Sequence, residues 1–172
     1  MAQSLRTAGY HHTGLNQIVA DSGAPKGSMY HYFPGGKAEL AVAAVNHAAA
    51  AVSARIGEIL QAGLPPVGAL EAVIDFFAGE MEASAFTKGC PVATISLEEA
   101  ATTPLIRDAC ARAYGGWQAG LAAFLQAHGV AEPRTAAETF IMLLEGALIL
   151  ARVQLSAEPL RRLKTRLPLF LT

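Results

Sequence analysis

Residues 15 to 40, LNQIVADSGAPKGSMYHYFPGGKAEL, restrict the fold more than any other stretch of this 172-residue chain. They describe a short helix, a sharp break, a second short helix and the start of a long third one. Thr13 is placed to cap the first helix, with Asn16 three residues on in a weak capping box. Leu15, Ile18 and Val19 recur at helical spacing and give that helix one apolar stripe. Ser22-Gly23 then breaks it, because glycine accepts the left-handed conformation of a helix C-cap. Pro25 suits the first position of the next helix, where no backbone N–H is required. That second helix carries Lys26, Ser28, Tyr30, His31 and Tyr32, side chains that donate hydrogen bonds, stack or touch phosphate. Spacing places Met29, Tyr32 and Phe33 inward and leaves Lys26, Ser28, Tyr30 and His31 outside. Phe33-Pro34-Gly35-Gly36 ends the helix abruptly, and the exposed N–H groups of Gly35 and Gly36 lead into a new helix N-terminus, a seat for phosphate. Lys37 stands in that first turn against the dipole preference for acids, a conflict that an external anion would resolve.

Everything downstream also reads as helix. Expected helices run over 37–62, 66–85, a short segment from Gly89 to Ala101, then 104–129, 134–155 and 159–167. Leu70, Val73, Ile74, Phe77 and Met81 share one face of the second of these. The 134–155 helix is apolar almost all round its middle, which demands cover on more than one side; a partner subunit is the expected cover. The last helix sets Leu160, Leu163 and Leu167 against Arg161, Arg162, Lys164 and Arg166. With no strand-like alternation, the expected fold is all-α: a helix-turn-helix domain over residues 1–45 and a helical domain over 46–172. A helix-turn-helix joined to a larger, non-basic domain is the plan of a ligand-responsive DNA-binding regulator.

The stretch YHHTGLNQIVADSGAPKGSMYHYFPGGKAEL closely resembles the DNA-binding domain of TetR-family transcriptional repressors. FPGGKAEL, together with GCPVATISLEEA at residues 89–100, is similar to the LmrA/YxaF-type branch. The resemblance implies a helical homodimer that binds double-stranded operator DNA and releases it when a small-molecule effector binds. It further implies base contacts from Lys26, Gly27 and Ser28 at the start of the reader helix, with Lys26 able to pair with guanine. Tyr30, His31 and Lys37 match positions that hold the phosphate backbone. Thr13 and Asn16 open the preceding helix; Thr13 serves equally well as a phosphate contact or as a plain cap. The chain departs from the family at its start. The family's first helix begins well upstream of Gly9, whereas Ala2–Ala8 leave barely two turns, so either the sequence begins late or the first helix is short.

Composition fits a regulator and narrows the alternatives. Hydrophobic residues make up 52% and charged residues 16%, and the net charge is −1, which speaks against a general coating of nucleic acid. The first forty residues hold three basic and two acidic side chains and three histidines, a thin electrostatic footprint that a dimer doubles. Cys90 and Cys110 make no disulfide framework, there is no apolar signal segment, and a cytoplasmic setting is expected. The apolar run Phe140–Val153 is too short for a bilayer, which takes about 20 residues, so no membrane association is expected. No phosphate loop, nucleophile elbow or metal-ligand spacing is present, and neither catalysis, cofactor nor metal is expected. For the effector, Phe77, Met81, Phe86, Cys90, Trp117, Leu121, Phe124 and Met142 supply soft apolar surface, much of which also serves as ordinary core. Trp117 needs a partner for its indole N–H. Glu145 sits in an apolar helix, facing either a ligand cavity or a base such as Arg152. An amphipathic, aromatic ligand is the expectation. A helical small-molecule binder without DNA binding and a transcriptional activator are the alternatives.

Overall fold

The computed structural model describes residues 9–12, 14–23 and 26–171. Among them every regular element is helical. A helical turn at 9–12 (α1) precedes α2 (Leu15–Ser22), α3 (Lys26–Tyr32), α4 (Gly36–Leu60), α5 (Pro66–Ala83), α6 (Pro91–Glu99), α7 (Pro104–Ala127), α8 (Pro133–Gln154) and α9 (Glu158–Lys164), with a 3-10 turn at Leu167–Leu169. The expected first helix over Ala2–Ala8 lies outside the described residues, as do Thr13 and Pro25.

Proline is the first residue of α5, α6, α7 and α8 and the second of α9, where its fixed φ is already helical. Gly23, at φ 66°, closes α2 as the Ser22-Gly23 break required. The start of α2 differs from expectation. Its N-cap is the extended Gly14, with no side-chain cap, so the helix begins a residue later than a Thr13 cap implies. Tyr32 also departs, being 72% exposed rather than inward. The helix ends at Tyr32, so no further turn lies beneath its ring, and it stacks edge-on against His31 at 5.2 Å. Among the residues of α3 with a described exposure, Met29 is the buried anchor, and Phe33, just after the helix, is half-buried.

The chain divides into two compact units, Met1–Ala50 with Cys90–Ala113, and Ala51–Gly89 with Tyr114–Thr172. The division falls inside α4 and inside α7, so each unit takes part of both helices. In the first unit, α2 packs on α3, and Ala41, Val45, Val92, Ile95, Ile106 and Ala109 are buried. In the second, α5, α8 and α9 pack on one another around Leu70, Ile74, Met81, Phe140, Leu160 and Leu167, all nearly inaccessible. The basic side of α9 reaches α5 through Arg161–Glu82 at 2.6 Å and Lys164–Asp75 at 2.5 Å. By length and composition alone α4, at 25 residues, would suffice to cross a bilayer. Its apolarity is mostly alanine, however, and Ala41, Ala44, Val45 and Ala49 are buried within the first unit.

Candidate nucleic-acid interface and effector groove

On α3, Tyr30 is 62% exposed, and Gly27 and His31 are exposed as well. Tyr30 thus presents a phenol and a ring face to solvent from a seven-residue helix, available to a partner. Lys26 and Ser28 lie in the first turn of α3, and Asn16 is exposed in the first turn of α2. These positions occupy α2 and α3, the two short helices of the helix-turn-helix.

Two features of that edge were not legible in the sequence. The N–H groups of the Pro34-Gly35-Gly36 turn are already taken: Gly35 donates to Glu39 Oε2 at 2.8 Å, and Gly36 to the Phe33 carbonyl at 2.9 Å. This corrects the expectation of an open phosphate seat, since the acid of the first turn reaches back and fills it. Lys37 also has company within the unit. Its Nζ stands 4.4 Å over the centre of the Tyr10 ring, a cation–π contact that offsets the unfavourable helix dipole.

Tyr10 is in turn held from far along the chain. Glu98 Oε2 accepts the Tyr10 N–H at 2.6 Å and the His11 N–H at 3.2 Å. His11 Nε2 lies 2.9 Å from Glu99 Oε1. Glu99 is 5% exposed, and its other oxygen accepts the Thr103 hydroxyl at 2.7 Å. Burial, with the Glu99 charge nearby, pushes the Tyr10 phenol above its ordinary value.

In the second unit a groove of about 100 Å³ is lined by Ser53, Ile56, Gly57, Leu60, Gly116, Trp117, Gly120 and Leu121. Trp117 donates its indole N–H to Ser53 Oγ at 3.0 Å, the partner its burial demands. Tyr114 stacks edge-on against Trp117 at 5.3 Å and donates to Glu145 Oε1 at 3.2 Å. Ser53, Trp117, Tyr114 and Glu145 thus form one polar–aromatic chain beside the groove. Of the predicted ligand residues, the structure gathers Trp117, Leu121 and Glu145 here. Met81 is core, Phe77 is half-buried against Phe76, and Phe86 sits in the turn after α5. Phe124 stacks on His128 at 4.3 Å, and Met142 is 65% exposed. Cys90 belongs to the first unit, where its Sγ caps α6 by accepting the Ala93 N–H at 3.5 Å. A wider groove of about 340 Å³ between α7 and α8 is lined by Gln118, Ala119, Ala122, Ala123, Gln126, Arg134 and Glu138 and contains no predicted residue. Among the described residues no three His, Cys, Asp or Glu side chains converge as metal ligands would.

Residues 2–44 match the family model for bacterial regulatory proteins of the tetR family. Residues 66–166 match the C-terminal domain of LmrA/YxaF-like transcriptional regulators. The chain belongs to the TetR family. Within it, this regulator is 35% identical over 162 residues to the HTH-type transcriptional regulator YxaF of Bacillus subtilis, covering 93% of this chain and 85% of that one. It is 31% identical over 162 residues to the HTH-type transcriptional regulator LmrA of the same organism, covering 93% and 86%. A solved structure of the regulatory protein TetR from Rhodobacter sphaeroides superposes with a TM-score of 0.87 at 26% identity, covering 99% of the regulator and 94% of that chain. E. coli NemR in its reduced form shares the fold, with a TM-score of 0.86, 24% identity and coverage of 99% and 92%. The regulator is therefore an HTH-type transcriptional regulator with a helical C-terminal domain.

Proposed function

We propose that this regulator is a homodimeric repressor that leaves its operator when a small amphipathic or aromatic molecule binds its helical domain. Residues 1–45 read DNA, and residues 46–172 bind the effector and the second copy. The observation that carries the reading is the solvent-facing Tyr30–His31 edge of α3, with Lys37 in the first turn of the next helix, in a chain of this family. Lys26, Gly27 and Ser28 address base edges; Thr13, Asn16, Tyr30, His31 and Lys37 address phosphate.

Dimerisation is supported by α8, which leaves Met142, Leu143, Ile149, Leu150 and Val153 exposed. Soluble chains rarely leave so continuous an apolar stripe uncovered. On α7, exposed Gly115, Gly116, Ala119, Gly120 and Ala123 permit close approach of a neighbouring helix. Two copies set their reader helices about 34–36 Å apart to meet successive major grooves. The groove beside Trp117 offers an aromatic wall and a polar end at Tyr114 and Glu145, the mix that orients a small ligand. The ligand acts by preferring the released state, with a coupling of about 1–3 kcal/mol.

Fluorescence anisotropy of the purified chain with its own upstream DNA, against scrambled DNA at two salt concentrations, tests the reading. Specific, salt-sensitive binding by a dimer is expected, lost in Lys26→Ala and in Tyr30→Ala. Equal weak binding to both DNAs would favour a small-molecule binder instead. Reporter output in the absence of ligand separates a repressor from an activator.

A further inference from the structure

The edge read as contacting DNA is continued by residues that the C-terminal end of α6 holds in place. One carboxylate oxygen of Glu98 takes two consecutive amides, those of Tyr10 and His11, across 88 and 87 positions of sequence. The approach is close. Gly9 has φ +75°, which favours glycine, and a Cβ there would lie 1.9 Å from Glu98 Oε1, so any other residue would be strained and would push the Glu98 carboxylate off its amides. Glu99 makes the second attachment. It is buried, fixed by the Thr103 hydroxyl on one oxygen and by His11 on the other. A buried carboxylate held at both oxygens is a rigid post rather than a surface ion pair. The turn it secures carries the Tyr10 ring, and Lys37 lies over that ring. Lysine otherwise has a long, freely rotating stem.

We infer that Glu98 and Glu99 are positioning residues for DNA binding: they clasp residues 9–11 so that the Tyr10 ring aims Lys37 at the phosphate backbone. The inference rests on the reading of Lys37 as a phosphate contact. It goes beyond that reading by making two acids, in a segment far from the helix-turn-helix, part of the machinery of a polyanion-binding surface. Glu98 acts as a hydrogen-bond acceptor and needs its oxygen more than its charge. Glutamine retains that oxygen; alanine does not.

The test uses the full-length chain on its own upstream DNA, titrated across a salt series, with Glu98→Ala, Glu98→Gln, Lys37→Ala and the Glu98→Ala/Lys37→Ala double variant. Hydrogen exchange of the Tyr10 and His11 amides is followed in the free proteins. Lys37→Ala is expected to lower the salt slope of binding by about one for each lysine lost. Glu98→Ala should reproduce most of that loss and strip protection from the two amides, and Glu98→Gln should restore both. The double variant should bind no more weakly than Lys37→Ala alone, because the glutamate works through the lysine. Losses that multiply in the double variant, or weaker binding by Glu98→Ala at an unchanged slope, would show a general folding role and overturn the relay. An unchanged slope in Lys37→Ala, with amide protection lost in Glu98→Ala, overturns the inference through its premise about Lys37. Unchanged amide protection in Glu98→Ala overturns the clasp itself, whatever the DNA result.

Discussion

The two units handle backbone strain in opposite ways. Among the described residues of the first unit, every residue at positive φ is a glycine: Gly9, Gly23 and Gly36. The second unit adds three side-chain-bearing residues in that region, Ala85, Phe86 and Leu155. A Cβ there costs about 1–2 kcal/mol per residue. The contrast follows from packing. The second unit has a dense centre of Phe140, Leu70, Ile74, Met81 and Leu160, and that much buried surface tolerates local strain. In the reader segment itself only Gly9, Val19 and Met29 are buried among residues with a described exposure before α4, so its geometry depends on glycine and on long-range polar attachments. A surface that must leave its side chains free for DNA cannot also use them as core.

The comparison can be broken at several points. Phe140→Ala, which empties a site of no measurable exposure, is expected to destabilise the chain by about 3–5 kcal/mol in a urea unfolding curve. A smaller loss would mean that the second unit is looser than its burial implies. Glu99→Ala removes the buried acceptor of Thr103 and the partner of His11, and is expected to cost about 1–3 kcal/mol. Hydrogen exchange should place that loss in the first unit and leave amides of α8 unchanged; equal loss in both units would erase the contrast. Leu155→Gly relieves the left-handed C-cap of α8 at a side chain 68% exposed, and should stabilise the chain by about 1 kcal/mol in thermal unfolding. The smallest effect concerns Cys110, whose thiol is pushed above its ordinary range by burial, only partly opposed by a hydrogen bond with Ser96. With less thiolate present at pH 8 than in the denatured chain, its alkylation should be slow in the folded protein and rise on denaturation. Rapid labelling of the native chain would show that this part of the first unit opens.

Much of the architecture was legible because it is local. The Ser22-Gly23 stop, the helix starts at Pro66 and Pro104 and the Leu160–Leu163–Leu167 stripe all follow from spacings of a few residues, and the structure carries each. Tyr32 was misplaced because periodicity assumes that a helix continues, and α3 stops there. The polar partners were out of reach for a different reason. Trp117 plainly wanted an acceptor, but Ser53 stands 64 positions away and nothing about a serine in an alanine-rich helix marks it. Glu98 and Glu99 entered only as part of the GCPVATISLEEA stretch, and only the folded chain brings them to Tyr10 and His11. The candidate effector residues stand out by soft apolar character, and Glu145 by its apolar setting, neither of which says which of them meet in space, and Tyr114, which links Trp117 to Glu145, was not singled out.

The Glu39 carboxylate on the Gly35 amide has a further consequence. A tethered acid competes for that amide at a high effective concentration. A single anion in solution therefore meets an occupied amide at Gly35 and a repelling charge beside it.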